Sequence, residues 1–98
     1  MPGQNKIRVN FYASLRKVAG HNSVEFHLPA PVSVRDLIRK ILVELPGLES
    51  ELINDQGELA PHINFLVNGR NVCYLDGDFD NLVADGDQVS LFPALGGG

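Results

Sequence analysis

One stretch of the sequence carries a clear helical repeat. Its apolar residues recur every third or fourth position, on one side of a helix: Val34, Leu37, Ile38, Ile41, Leu42 and Leu45. Ser33 precedes the stripe and Asp36 follows three residues later, a capping-box arrangement with Asp in place of the usual Glu. Pro46 and Gly47 end the pattern. The spacing therefore predicts an amphipathic helix that must cover an apolar surface elsewhere in the chain.

Alternating apolar and polar residues predict strands on both sides of this helix. The runs cover residues 7–11, 24–28, 63–67, 70–75 and 88–91. Pro29 and Pro31 end the second run, since proline cannot donate to a sheet. Asn68 and Gly69 separate the third and fourth runs and indicate a two-residue hairpin, because both tolerate positive φ. Leu66 lies out of phase with its neighbours, so the third strand is expected to be covered on both faces.

Shorter features complete the pattern. Ser14 and Gly20 bracket a segment that indicates one or two helical turns. Residues 48–53 suggest a further short helix. Two Asp-Gly-Asp turns flank an apolar cluster of Phe79, Leu82 and Val83.

The order of these elements restricts the fold. A helix that follows a hairpin packs its stripe on that sheet, since neither buries its apolar face alone. The helix also allows a crossover that places a later strand parallel to the first. We therefore expect an α+β domain over residues 1–93, of the β-grasp or ubiquitin-like type. It would have a mixed sheet of about four to five strands, one main helix across it, and a flexible tail at 94–98.

Charge and cysteine content exclude several classes of function. Twelve acidic against eight basic residues give a net charge of −4, and no basic stripe is present, so nucleic acid is not an expected partner. One cysteine excludes an internal disulfide framework and a multi-cysteine zinc site. The apolar runs are too short to span a bilayer, and the first residues lack a signal-peptide pattern. We expect a cytoplasmic protein with no membrane contact.

The candidate catalytic and metal-binding side chains form no motif. Cys73 lies in a predicted strand without a neighbouring base, which favours a buried or incidental thiol. The histidines share neither a helix face nor ligand spacing, and no metal is expected: His21, His27 and His62.

The acidic turns resemble a calcium loop only in part. Asp76, Asp78 and Asp80 have the spacing of its first ligands, but Asn81 stands where glycine is required. The sequence also contains no glycine-rich phosphate loop and no nucleophile elbow. We therefore expect no active site of its own and no bound cofactor.

The last three residues, Gly96, Gly97 and Gly98, directly follow the exit of the last strand. One interpretation is a floppy tail or a cloning remnant. The other is functional, because a chain without Cβ atoms passes through a slot too narrow for other residues. The carboxylate of Gly98 is then ionised and unshielded, so it can attack the α-phosphate of ATP held by another protein. A sulfur donor can next displace AMP and leave a thiocarboxylate. Composition leaves both interpretations open.

The chain resembles the MoaD/ThiS family of ubiquitin-like sulfur carriers nearly from end to end. Each matching segment is weak alone, and their order and spacing are specific. The segments are Phe11-Tyr12-Ala13-Ser14-Leu15-Arg16-Lys17-Val18-Ala19-Gly20, Val34-Arg35-Asp36-Leu37, Gly57-Glu58-Leu59, His62-Ile63-Asn64, Leu66-Val67-Asn68-Gly69-Arg70, Asp85-Gly86-Asp87 and Leu91-Phe92-Pro93. The family typically ends Phe-Pro-Pro-Val-Ala/Ser-Gly-Gly, so Gly97 and Gly98 match its functional pair.

The resemblance implies a specific role for the tail. A MoeB/ThiF-like enzyme would use ATP to adenylate Gly98, and a sulfur donor would convert it to a thiocarboxylate. In the MoaD branch the tail inserts into a MoaE-like large subunit of molybdopterin synthase, where sulfur passes to a pterin precursor. Gly98 would then carry the sulfur, and the residues that bind the partner would be Phe92, Pro93, Leu95, Gly96 and Gly97.

Other branches of the family remain as alternatives. Ala94 replaces the usual second proline and loosens the tail; Pro-Ala before the glycines is also similar to carriers that supply sulfur for cysteine synthesis. The segment from Gly57 to Asn64 is similar to archaeal ubiquitin-like modifiers, which attach to lysines and also deliver sulfur, including for tRNA thiolation. Thiazole synthesis ranks lower, because ThiS carriers are usually shorter. Phe92 has an alternative assignment to the ordinary sheet core, and a plain interaction module with an incidental tail is a third hypothesis.

Overall fold

The computed structural model describes residues 5–57, 59–60, 62–72 and 80–93. Its strands are β1 (Asn5–Phe11), β2 (Ser23–Leu28), β3 (Val32–Ser33), β4 (Ile63–Val67), β5 (Arg70–Asn71), β6 (Leu82–Val83) and β7 (Gln88–Pro93). Its helices are α1 (Ser14–Ala19), α2 (Val34–Glu44) and α3 (Glu49–Leu52), with a 3-10 turn at Pro46–Leu48. Within these ranges no helix has the length and apolar character needed to cross a bilayer.

The main sheet is mixed, with the strand order β2-β1-β7-β4-β5. The hairpin of β1 and β2 is antiparallel, and β7 runs parallel to β1. The crossover provided by the long helix makes this parallel pairing possible. The β-grasp arrangement expected from the order of elements is thereby confirmed.

Helix α2 begins and ends where the sequence predicts. The backbone N–H of Asp36 donates to Ser33 Oγ at 3.1 Å, so Ser33 is the N-terminal cap. The helix ends at Glu44, directly before Leu45 and Pro46. Four residues of the stripe are buried against the sheet: Val34, Leu37, Ile38 and Ile41. They meet the inward residues of the strands in one core, whose largest fully buried side chains include Phe11, Phe65, Ile7 and Leu91.

The turn between β4 and β5 is the two-residue hairpin that the sequence indicates. Asn68 has φ 51° and Gly69 has φ 87°, the positive values that match the twist of the flanking strands. The fourth strand is shorter than expected, since β5 contains only Arg70–Asn71 and buried Val72 lies beyond its end. The remainder of that predicted strand, including Cys73, lies outside the described residues.

A second, two-stranded sheet pairs β3 with β6 and has no counterpart in the sequence prediction. Val83 of β6 is buried, whereas Leu82 is 66% exposed. The expectation that Leu82 joins an apolar cluster is therefore wrong, because successive residues of a strand point to opposite faces. Phe79, the third member of that cluster, lies outside the described residues.

The first helix has a different cap from the one expected. Ser14 is its first residue, and the cap position belongs to Ala13, which makes no side-chain capping hydrogen bond. Ala13 has φ 55° and ψ −133°, a conformation rare for any residue with a Cβ. Gly20 closes the helix in the left-handed conformation, as the sequence predicts.

Candidate functional site

The last described strand lies in the middle of the main sheet. Strand β7 lies between β1 and β4, and its last residue, Pro93, pairs with Ile63 of β4. β1 is parallel to β7 and ends beside it, since Phe11 is opposite Leu91. The described chain therefore ends on a strand that has a hydrogen-bonded neighbour on each side.

The alternation along β7 separates two faces. Val89 and Leu91 are buried beneath the helices, whereas Ser90 and Phe92 are only half-buried on the opposite side. We call this opposite side of the main sheet the open face. It includes Leu66, which lies across from Ser90.

Two aromatic rings meet on the open face at the base of the tail. The ring centroids of Tyr12 and Phe92 lie 6.2 Å apart, with the planes at 83°, an edge-to-face arrangement. The Tyr12 N–H donates to Leu91 O at 3.1 Å, which joins the end of β1 to β7. Tyr12 is 46% exposed. Together with half-buried Leu66, these rings form a surface that we call the apolar patch (Tyr12, Leu66 and Phe92).

Polar side chains surround the apolar patch. Asn64 lies opposite Phe92, and its Oδ1 accepts a hydrogen bond of 3.2 Å from Asn71 Nδ2. Asn10 Nδ2 donates to Val89 O at 3.3 Å. An apolar centre with a polar rim is the usual anatomy of a protein–protein interface.

An ion pair lies further along the open face. Arg8 Nη2 donates to Glu25 Oε2 at 2.9 Å, and this hydrogen bond holds the pKa of the Glu25 carboxyl below its usual value. The positive charges of Lys6, Arg8 and His27 add smaller effects of the same sign, against a small opposing desolvation. Glu25 therefore remains ionised on this face at neutral pH.

The structure places some of the predicted site residues and corrects one assignment. Phe92 and Pro93 lie at the tail's base, and Phe92 faces the open side, so its alternative assignment to the sheet core is wrong. Leu95, Gly96, Gly97 and Gly98 lie outside the described residues. Tyr12 was missed, although its position out of phase with the buried β1 residues was a signal that it faces outward.

Other sequence candidates lie apart. His21, His27 and His62 are exposed, and the described ranges contain no cluster of metal-ligating side chains. Asp80 forms an ion pair with Arg35 of α2. Asp76 and Asp78 fall outside the described part of the chain.

Comparison with known proteins settles the family. The sequence pattern that defines the ThiS family matches residues 9–98. The chain belongs to this family of ubiquitin-like sulfur carriers. Members of the family are small proteins that work with partner enzymes.

Two relatives of this ThiS-family chain are named for different functions. It is 40% identical over 93 residues to small archaeal modifier protein 3 of Haloferax volcanii, covering 95% of this chain and 99% of the relative. It is 29% identical over 93 residues to the molybdopterin synthase sulfur carrier subunit of Chlamydomonas reinhardtii, with the same coverage of both chains.

Solved structures agree with the β-grasp fold. The crystal structure of small archaeal modifier protein 1 from Haloferax volcanii superposes with a TM-score of 0.83 at 32% identity, covering 96% of this chain and all of that one. A chain of the BexX/CysO complex from Amycolatopsis orientalis superposes with a TM-score of 0.76 at 28% identity, covering 94% and 99%. The latter structure is a complex of two proteins, one of which has this fold.

Proposed function

We propose that this protein carries sulfur on the carboxyl group of Gly98 and delivers it for molybdopterin synthesis. The observation that carries the proposal is the place where the described chain ends. Pro93 ends the central strand β7, beside a partly exposed apolar patch suited to a partner protein. Membership in a family of sulfur carriers supports the chemistry.

The proposed chemistry has two steps. A carboxylate oxygen of Gly98 attacks the α-phosphorus of ATP, and pyrophosphate leaves, giving an acyl adenylate. Hydrosulfide, or its equivalent from a sulfur donor, then attacks the acyl carbon and displaces AMP, leaving a thiocarboxylate. The adenylate makes AMP a good leaving group, which a free carboxylate lacks.

The ATP site belongs to a partner in this proposal. The sequence has no phosphate-binding loop, so a MoeB/ThiF-like enzyme supplies both ATP and its binding site. The apolar patch docks on that enzyme, while the glycines extend into its active site. Pro93 directs the first residue of the tail, because its ring fixes φ, and Leu95 adds apolar contact beyond it.

The recipient of the sulfur is a pterin precursor held by a MoaE-like large subunit. Similarity to a molybdopterin synthase sulfur carrier subunit supports this recipient. Gly96 and Gly97 would pass through the narrow channel that leads to the pterin, and Gly98 would present the sulfur.

The direct test is the intact mass of the protein after incubation with ATP, an activating enzyme and sulfide. Replacing oxygen by sulfur raises the mass by about 16 Da, as expected for wild type and not for a variant without Gly98. Phe92→Ala is expected to slow the gain at least about tenfold, since truncated interface aromatics are common hot spots. Leu82→Ala truncates an exposed apolar side chain of β6, in the other sheet, and is the control variant, which should behave as wild type.

A failed mass gain with a competent enzyme would refute the carrier function. The recipient is tested separately by adding the thiocarboxylate form of the protein to a MoaE-like subunit and its pterin substrate. Dithiolene formation is expected. If the thiocarboxylate form gives no dithiolene, the molybdopterin assignment is refuted and the sulfur-carrier assignment stays intact.

A second candidate function is the modification of other proteins, which the 40% identity to a small archaeal modifier protein favours. Here a lysine amine attacks the acyl carbon of the Gly98 adenylate and displaces AMP, or attacks a thioester formed from it and displaces the thiol, and an isopeptide bond results. Adducts of higher mass are expected in extracts that contain the tagged protein, and they should disappear when Gly97 and Gly98 are deleted. An extract with activating enzyme and no adducts contradicts this function.

A further inference from the structure

Strand β2 has a free edge in the described part of the sheet. It is the last strand in the order β2-β1-β7-β4-β5 and pairs with β1 alone. The Phe11 N–H donates to Asn22 O at 2.8 Å, directly before the strand. Because hydrogen-bonding positions alternate, the backbone groups of Val24 and Phe26 also face β1. The N–H and C=O groups of the intervening residues therefore point away from the sheet: Ser23, Glu25 and His27.

A groove follows this free edge. It has a volume of about 780 Å³ and lies between β2 and one side of α2. Val24 and Val32 contribute apolar surface, and Val43 on the helix is 78% exposed, the highest value among the large apolar side chains described. The charged helix residues that line it balance one another: Asp36, Arg39, Lys40 and Glu44. Among the described residues no strand pairs with this edge, and a row of outward backbone groups beside exposed apolar surface is a template for another strand.

We propose that this edge binds the β2 strand of a second copy of the chain, antiparallel, with the two-fold axis at Phe26. In β2 only the odd-numbered residues direct their backbone groups away from β1. The two copies can therefore form hydrogen bonds only in registers that place an odd-numbered residue of one copy opposite an odd-numbered residue of the other. The register centred on Phe26 overlaps most of Ser23–Leu28. It joins the two sheets into one continuous sheet. The two grooves, each with its Val43, then lie on the same face of that sheet.

The side-chain charges select this register. Centred on Phe26, the pairing places Glu25 of each copy opposite His27 of the other. Centred on Glu25, it would instead oppose two carboxylates, which costs free energy. Centred on His27, it would place Glu25 opposite Pro29 and form no pair between an acid and an imidazole. The basic residues of β1 reinforce the selected pairing, because Arg8 lies beside Glu25 and Lys6 beside His27.

Charge complementarity also favours a second copy over an unrelated strand. Any extended peptide satisfies the backbone of β2, but this chain carries both the acid and its partner two residues apart on the free edge. The interface is a single six-residue strand with its groove, smaller than a standard stable interface, so a weak dimer is expected. The proposal goes beyond the carrier function and does not depend on the tail.

Sedimentation equilibrium from about 10 µM to about 1 mM tests the proposal, and wild type should show reversible dimers within that range. His27→Pro removes an outward N–H and leaves the bonds to β1 intact, so it should abolish the dimer while circular dichroism stays unchanged. His27→Thr keeps the N–H and serves as its backbone control, with dimerisation weakened only a few-fold.

A charge exchange tests the register. His27→Glu alone opposes two carboxylates and should raise the dissociation constant about tenfold. Glu25→Lys alone removes the carboxylate that faces the imidazole and should also raise the dissociation constant. The double variant Glu25→His/His27→Glu restores opposite partners and should return it to within about threefold of wild type. Deleting residues 94–98 should leave the dimer unchanged. A protein that stays monomeric throughout, or a dimer that ignores His27→Pro or is not rescued by the exchange, overturns the proposal.

Discussion

Ala13 is the clearest point of backbone strain in the described chain, and replacing it with glycine should stabilise the protein. It has φ 55° and ψ −133°, a conformation that costs a residue with a Cβ about 1–3 kcal/mol. Glycine relieves this strain but loses about 0.5–1 kcal/mol more conformational entropy on folding. The net expectation for Ala13→Gly is a gain of about 1 kcal/mol in the free energy of unfolding.

Gly20, at the other end of the same short helix, provides the matched opposite change. It has φ 78°, and a Cβ built there meets nothing within 4 Å, so only the backbone opposes alanine. The left-handed conformation costs about 1–2 kcal/mol, partly offset by a less flexible unfolded chain. Gly20→Ala should therefore lose about 1 kcal/mol.

Urea denaturation and thermal unfolding measure both variants. For a domain of this size, about 1 kcal/mol corresponds to a shift of about 4–8 °C in Tm. Ala13→Gly should raise Tm and Gly20→Ala should lower it. If Ala13→Gly lowers Tm as much as Gly20→Ala does, the strain assigned to Ala13 does not exist.

Three further predictions concern the helix, the core and the open face. Ser33→Ala removes the cap of α2 and should cost about 0.5–2 kcal/mol in urea denaturation, while Ser33→Asp should retain most of the stability. Leu37→Ala leaves a cavity at a fully buried position and should cost about 2–5 kcal/mol; a loss under about 1 kcal/mol would contradict the packing described. The pKa of Glu25 in an NMR titration should lie below its usual value and rise towards it in Arg8→Gln. Because this pKa is lowered on folding, the pair's small stabilisation is present at neutral pH and is lost as the pH falls through the folded pKa.

Much of the fold could be predicted because local and long-range signals agree. The stripe of α2, its Ser33 cap and the Pro46 stop all define the same helix. Asn68-Gly69 fixes the β4–β5 hairpin through backbone conformation alone. Strong periodicity also located β1, β2 and β7, and the long helix allowed a crossover that places a later strand parallel to β1, as β7 is.

The missed features lack any periodic signal. β3 and β6 contain two residues each, too few for alternation to be recognised, and they depend on pairing between distant parts of the chain. The cap of α1 was misassigned because Ser14 is a favourable capping residue by type, whereas Ala13 occupies the cap position in the structure.

The candidate site was predictable only in part. The family resemblance of the tail proposes Phe92 and Pro93 as partner-binding residues, but the sequence alone left Phe92 between the core and a partner surface. Its pairing with Tyr12 across β1 and β7 required the strand register, which places residues 80 positions apart in contact. The apolar patch therefore emerges from the fold rather than from a local motif.

Pyrophosphate release tests the central claim most directly. A MoeB/ThiF-like enzyme with ATP should release pyrophosphate when given wild-type protein, in proportion to the chains added. A variant with one alanine appended after Gly98 moves the carboxylate and adds a Cβ, so it should release almost none. Equal release from both proteins would show that the unshielded carboxyl group of Gly98 is not the group that ATP activates.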